Sequence, residues 1–302
     1  MVINLIKNTD RMEFFTPEDW EGLLVQDALK KKLKVSKKLA YQWRIEKKVF
    51  LNGSLPNWGK PLKKGDKVSI EIIEEEESEL EPYDKKIDVL FEDEHLIIIN
   101  KPAYIKTHPN HPDEKDTLAN AVSFYYQHKG LKRKVRHIHR LDENTSGAIL
   151  FAKHAYCHQL LDQMLTERKI KRTYTAYVNG KISPIKGTIN EPIGKDRYSS
   201  NRQRVSKNGQ KAVTHYELYK YNDKRHFSIV NLQLDTGRTH QIRVHLSHIG
   251  YPIMGDTLYG GGTERISRQA LHAYKIEFVH PITKQKLIIN TPVPDDLKRI
   301  ED

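Results

Sequence analysis

The chain has 302 residues, a formal net charge of +12 and 30% charged residues. That length exceeds one typical domain, and that charge suits an anionic partner, either nucleic acid or an anionic membrane surface. No apolar run approaches the ~18 residues that span a bilayer, and the single cysteine, Cys157, excludes an internal disulfide and a cysteine-based zinc site.

The opening residues 1–6 are too short for a secretory signal and acids soon follow, so a cytoplasmic protein is expected. Residues 23–29 have roughly helical apolar spacing. Residues 35–45 have the same habit, with Ser36 as the candidate N-cap. A Val-Phe-Leu run at 49–51 follows, then an Asn52-Gly53 turn, a Gly65-Asp66 turn and a strand-like run at 68–72, which is hairpin punctuation. Between Lys30 and Lys64 stand 12 Lys/Arg against one acid, Glu46, a local net of +11. Trp43 and Arg44 lie among Lys37, Lys38, Lys47 and Lys48, and this mixture favours a face that binds RNA over a merely solvated one. From Glu71 to Asp84 there are eight acids and no base. Such a run buries too little apolar surface to fold tightly, so it reads as a solvated strand end and linker. A domain boundary is therefore expected near residue 80, dividing the chain into 1–80 and 81–302.

Residues 15–73 resemble the S4 RNA-binding domain. The turn at 49–53 reads Val-Phe-Leu-Asn-Gly and the closing pair is Gly65-Asp66. A small N-terminal α/β S4-like domain is what this resemblance implies.

Beyond residue 80, segments 87–91 and 95–100 read as strands, 154–168 as a helix, and 174–178 and 227–234 as strands again. Strands with few helices between them predict an α+β fold with a mixed, mostly antiparallel sheet. Residues 139–147 read His-Arg-Leu-Asp-Glu-Asn-Thr-Ser-Gly and precede an apolar run at 148–152. Asp142 thus sits in a turn-prone segment at the edge of a buried strand. Alone it would read as a turn cap. Two further segments carry polar residues that no core needs. Lys171-Arg172-Thr173-Tyr174 opens a strand with a tyrosine beside positive charge. Residues 237–246 place Ile242, Val244 and Leu246 alternately with Arg243 and His245, which predicts a strand with one apolar face and one cationic face. Arg243 is read as holding a partly buried Asp142, and Tyr174 as able to stack on a base taken out of RNA. The basic segment 195–211, with Arg202 and Arg204, reads as a flexible loop that closes on RNA.

Together these segments resemble the RluA-type family of RNA pseudouridine synthases. The family's His-Arg-Leu-Asp-x-x-Thr-Ser-Gly core stands unbroken at 139–147. Its tyrosine motif is matched at 171–180 and its Gly-Arg-Thr-His-Gln-Ile-Arg-Val-His block at 237–245. Asn100-Lys101-Pro102-Ala103, Leu271-His272-Ala273 and His280-Pro281 also fit. The resemblance covers residues 87–295. It implies that Asp142 is the catalytic aspartate, Tyr174 the stacking and proton-handling residue, and Arg243 the aspartate's partner. Arg140, Arg238 and His240 join the basic residues named above as candidate RNA contacts. It also implies cleavage of the uridine N1–C1′ bond and rejoining through C5 on a flipped nucleotide, with no metal or cofactor. Asp142 would either attack C1′ or remove a ribose proton. One departure stands out: the family has Gly after Lys-Pro-Ala, where this chain has Tyr104. A tyrosine resists backbone angles that glycine adopts freely, so the path of this loop is expected to change.

Asp235-Thr236-Gly237 resembles the aspartic-protease triplet, but no second copy exists. His137 with His139, and His108 with His111, lack a ligand set of metal spacing. The competing function is a non-catalytic RNA-binding ribosome-assembly factor on the same fold, which would not need Asp142, Tyr174 and Arg243 together. The expected partner is structured RNA, ribosomal RNA favoured over transfer RNA. No membrane and no obligatory protein partner is expected, and the chain is expected to be a monomer.

Overall fold

The computed structural model of the chain describes residues 6–8, 11–199 and 201–302. Residues 1–5, on which most of the reading of 1–6 as no secretory signal rests, lie outside them. The first unit is a four-stranded antiparallel sheet with two helices. Its elements are β1 (Ile6–Asn8), β2 (Arg11–Phe15), α1 (Val25–Lys31), α2 (Lys37–Ile45), β3 (Val49–Leu51) and β4 (Lys67–Glu71), and its strand order is β1-β2-β4-β3. The Ser36 hydroxyl accepts from the Leu39 N–H and caps α2 as predicted. Leu39, Ala40 and Trp43 turn inward on Trp20, Leu29 and Ile70, while Lys37, Lys38, Tyr41 and Arg44 face out. Strands β1 and β2 were not anticipated from the sequence.

The second unit is a ten-stranded sheet. Its elements are β5 (Val89–Glu92), β6 (Leu96–Lys101), α3 (Leu118–His128), β7 (Arg136–His137), β8 (Ser146–Ala152), α4 (Ala155–Thr166), β9 (Lys171–Asn179), β10 (Lys186–Ile189), β11 (Ile193–Lys195), β12 (Gln203–Val205), β13 (Thr214–Asn222), β14 (Phe227–Leu234), α5 (Gln241–His248), β15 (Leu271–Val279), β16 (Lys286–Asn290) and α6 (Asp295–Glu301). The order is β10-β13-β14-β9-β15-β8-β6-β5, with β16 beside β15 and β7 beside β8, while β11 and β12 form a separate hairpin. Only β8 and β15 run parallel among the described strand pairs, so the expected mixed, mostly antiparallel α+β sheet is what the chain forms. Every residue of β8 is buried, as its unbroken apolar run requires. Gly147 is essential to that parallel pair. Its φ is +115°, and a Cβ there would collide with the Ala273 backbone.

Two readings are corrected and a third is refined. The segment 237–246 does not form a strand: α5 begins at Gln241. Ile242 and Leu246, four apart, share a helical face toward the core, and Arg243 is buried rather than displayed. The basic segment after β11 is not a free loop, because β11 and β12 pair from Ile193↔Val205 to Lys195↔Gln203. The acidic run opens as the end of β4 at Glu71 and then forms neither helix nor strand; Glu75, Glu77, Glu79, Glu81 and Asp84 are exposed as expected, but the run is pinned rather than free. Glu74 is buried against Lys48 at 3.1 Å, Glu75 meets Lys132 at 3.1 Å, Glu79 meets Lys134 at 2.8 Å, and Glu76 pairs with Arg136. Tyr104 does adopt the left-handed conformation (φ +63°), with its hydroxyl 3.2 Å from Ser267 Oγ. Tyr104 thus takes a backbone angle that glycine adopts freely, at a cost of about 1–2 kcal/mol.

Several histidines are buried and neutral. Burial pushes His95 and His272 down to about 4. It also holds His154, 3.1 Å from His95, well below the ordinary range. An unfolded chain would protonate these rings near pH 6.5, and the folded chain resists until about 4. Stability is therefore complete above about pH 6.5 and falls as pH drops toward 4. His95 and His272 are each expected to cost up to about 2 kcal/mol at about pH 5. Calorimetry across this range should show the melting temperature falling, and a flat profile would contradict the assignment of neutral buried rings.

Candidate active site

The loop from His139 to Thr145, between β7 and β8, is held from several sides. The Thr107 hydroxyl donates to the Leu141 carbonyl at 2.8 Å and accepts from the Leu141 N–H at 3.1 Å. Lys101, fully buried, donates to the carbonyls of Pro102, Ile105 and Glu143 at 2.7–2.9 Å. Burial pulls its ammonium down to about 7, while the charges of Asp142 and Glu143 act in the opposite sense. Arg268, also buried, donates from Nη1 to the Asn144 carbonyl at 3.0 Å and grips Asp296 of α6 through two bonds of 2.6 and 2.9 Å. Asp142 is left with its carboxylate partly exposed, at 28%.

Arg243 reaches that carboxylate from α5, with Nη1 3.1 Å from Asp142 Oδ2. Its other edge donates to both oxygens of Asp256, at 2.7 and 2.8 Å. Burial works against the guanidinium charge, but the two carboxylates outweigh it and raise the pKa above the ordinary range. The Tyr259 ring lies 4.9 Å from the guanidinium carbon, and its hydroxyl is 2.9 Å from His240 Nδ1. His240 Nε2 stands 3.9 Å from Asp142. Arg243 is thus fixed on three sides and presents one N–H to Asp142.

Tyr174 comes from β9, paired opposite Leu232. It is 4% exposed, and burial raises its pKa, so its hydroxyl keeps its proton at neutral pH. Asp142, Tyr174 and Arg243 line one cleft of about 970 Å³, together with Arg140, Arg238 and His240. Arg172, the positive charge read beside Tyr174, lines it as well, as does Arg168, which was not singled out from the sequence. Burial puts His137 at about 4 and His139 well below its ordinary range, which leaves two uncharged rings in the same wall. Among the described residues no group of three or more His, Cys, Asp or Glu side chains could hold a metal ion.

The remaining candidates lie elsewhere. Arg202 sits on the β11–β12 hairpin with its guanidinium 5.6 Å from the Tyr259 ring, and Arg204 is exposed on the same hairpin. Lys37, Lys38, Arg44 and Lys47 are exposed in the first unit, with Arg44 over the Trp58 ring at 5.2 Å. Lys48 is held between Glu46 at 2.6 Å and Glu74 at 3.1 Å. Sequence reasoning missed Asp256, Tyr259 and Arg268. Arg268 stands three residues before the Leu-His-Ala motif, which was its only signal. Nothing local marked Asp256.

Known proteins agree with this geometry. A family model described as RNA pseudouridylate synthase matches residues 95–248. A second, the RluD ribosomal pseudouridine synthase N-terminal domain, matches residues 12–68. The chain is 47% identical to the uncharacterized RNA pseudouridine synthase YhcT of Bacillus subtilis (strain 168), across 96% of each chain. It is 34% identical to the ribosomal large subunit pseudouridine synthase D of Escherichia coli (strain K12), across 85% of this chain and 82% of that one. The solved structure of human RNA pseudouridylate synthase domain containing 1 shares the fold, with a TM-score of 0.57 at 24% identity over 70% of this chain and 86% of that one. An intact motif set in one cleft and near-full-length likeness to enzymes of this kind lead to one assignment: the chain belongs to the RluA-type family of RNA pseudouridine synthases.

Proposed function

We propose that the chain isomerises a uridine of ribosomal RNA to pseudouridine, with Asp142 acting on the ribose of a flipped nucleotide. The observation that carries this reading is a part-exposed Asp142 carboxylate, held by Arg243, in a cleft it shares with a buried Tyr174. In this reading Arg243 fixes the carboxylate's orientation, and Tyr174 offers a ring face and a protonated hydroxyl to the loosened uracil. Arg140, Arg168, Arg172 and Arg238 supply cations for the phosphates on either side. The relatives named for the large ribosomal subunit support ribosomal RNA as the target class. No helix among the described residues is long and apolar enough to cross a membrane. A cytoplasmic monomer, with an S4-like RNA-binding unit ahead of a catalytic unit that begins near residue 81, completes the reading.

Tritium release from C5-labelled ribosomal RNA, prepared from cells lacking this gene, tests it. Hydrogen leaves C5 only when the new C–C bond forms, so release by the wild type is the expected result. Failure on naked RNA and on assembling large subunits alike would refute the ribosomal target. The β11–β12 hairpin is proposed to close over the bound RNA. Neutralising Arg202 and Arg204 should then flatten the salt dependence of binding by about 0.7 per lost phosphate contact. An unchanged slope would remove the hairpin from the RNA interface.

A further inference from the structure

We propose that the N-terminal unit is docked rigidly on α4, so that its basic α2 face and the catalytic cleft form one continuous surface for a structured RNA. This rests on the functional reading above and adds how that site selects its substrate.

Helix α4 has two working faces. One belongs to the N-terminal unit. Tyr156 lies in that unit's core, edge-on to Trp43 with ring centroids 5.4 Å apart, and its hydroxyl donates to the Leu33 carbonyl at 2.9 Å. The Gln159 side-chain amide spans the turn that starts α2: its oxygen accepts from the Ser36 N–H at 2.7 Å and its nitrogen donates to the Lys34 carbonyl. Ile282, from the turn between β15 and β16, enters the same core. The other face of α4 lines the cleft through His158, Asp162 and Thr166. Gln159, which grips the N-terminal unit, is thus the chain neighbour of His158, which borders the active site.

The connecting segment adds a second clamp. The Glu76 N–H donates to the Lys132 carbonyl at 3.0 Å, Arg133 Nη1 donates to the Glu74 carbonyl at 2.7 Å, and the acid–base pairs described above flank both. Each exposed pair contributes little alone. In a row, together with backbone bonds, they fix the path of a segment that would otherwise act as a flexible tether.

The consequence lies in recognition. Lys37 and Lys38 stand directly after Ser36, at the end of α2 that touches α4. Ser36 meets Gln159 of α4, the neighbour of His158 at the border of the cleft, and the basic face of α2 runs roughly 14 Å from that point. A flexible tether would let each half bind its own stretch of RNA at whatever separation the RNA offers. A docked unit fixes that separation and lowers the ordering cost of two-point binding, but only for RNA whose own fold matches it. The partner that fits is an RNA helix continuing past the loop that carries the target uridine, rather than a single strand.

The test uses the full chain, wild type and the double variant Tyr156→Phe/Gln159→Ala. It removes three interdomain hydrogen bonds while keeping the aromatic packing. The two probes are an unmodified large-subunit ribosomal RNA transcript and a short oligouridylate that fills the cleft alone. Hydrogen exchange over residues 33–36 reports docking. The expected result is faster exchange there, with the transcript bound about tenfold more weakly and the oligouridylate bound as before. Faster exchange with both affinities unchanged, or with both weakened equally, overturns the proposal. If exchange does not change, Tyr156→Ala, checked for folding by circular dichroism, replaces the double variant. Unchanged exchange there as well would show that these contacts do not dock the unit and would overturn the proposal too. Wild type that binds both RNAs but releases no tritium would refute the catalytic reading, and the binding comparison would still decide this one.

Discussion

Asp142→Asn is expected to slow tritium release by about 10²–10⁴-fold or more, while RNA affinity stays within about twofold of wild type. The amide has the shape of the carboxylate and can still accept the Arg243 Nη1 bond, so the loop should not move. Arg243 keeps both bonds to Asp256, so no buried charge is stranded. Lys101, Thr107 and Arg268 hold the loop through its backbone and are untouched. What disappears is the group able to attack or to take a proton. Single-turnover release with saturating enzyme separates this loss from any change in binding. Activity within tenfold of wild type would remove Asp142 from the chemistry.

Asp256→Ala is expected to lower stability by about 3–5 kcal/mol, the usual result of removing one partner from a buried ion pair. The Asp256 side chain is 1% exposed and Arg243 has nowhere to go, since Tyr259 covers one face of its guanidinium. The variant should also lose turnover, because the two bonds to Asp256 are what hold the guanidinium so that Nη1 meets Asp142. Urea unfolding gives the stability change. Arg243→Met made alone and together with Asp256→Ala completes a cycle, and the double variant should be less damaged than the sum of the singles. A loss below about 1 kcal/mol, or strict additivity, would show that the pair does not fix the site.

Much of this arrangement is written locally in the chain. The Ser36 cap, the apolar run that becomes β8 and the alternating strand at 227–234 each follow from a few neighbouring residues, and each forms as read. Segment 237–246 shows where such reading fails. Apolar residues at 242, 244 and 246 satisfy a two-residue period, but 242 and 246 also satisfy a helical one. The partners that let Arg243 be buried inside a helix, Asp142 and Asp256, both lie outside the segment. The acidic run was legible only in part, for a related reason. Its composition predicts solvation, and its counter-charges lie about 55–60 residues further on. Asp256 carries no local pattern at all and is recognised only through the arginine it holds. Tyr104 takes the left-handed angle that its side chain resists, so the chain accepts strain there.

The placement of Tyr156 and Ile282 inside the N-terminal core also bears on how the protein is made. A nascent chain emerges from its amino end at about 5–20 residues per second, and leading domains commonly fold while the remainder is still being synthesised. Here the core of the first 72 residues is completed by side chains made much later, at positions 156 and 282. Until those segments emerge, the apolar side chains of the leading unit that Tyr156 and Ile282 cover stay open to water. Its maturation is therefore coupled to that of the larger unit, and a truncated product would carry a basic surface with an unsealed apolar interior, a ready substrate for chaperones and proteases.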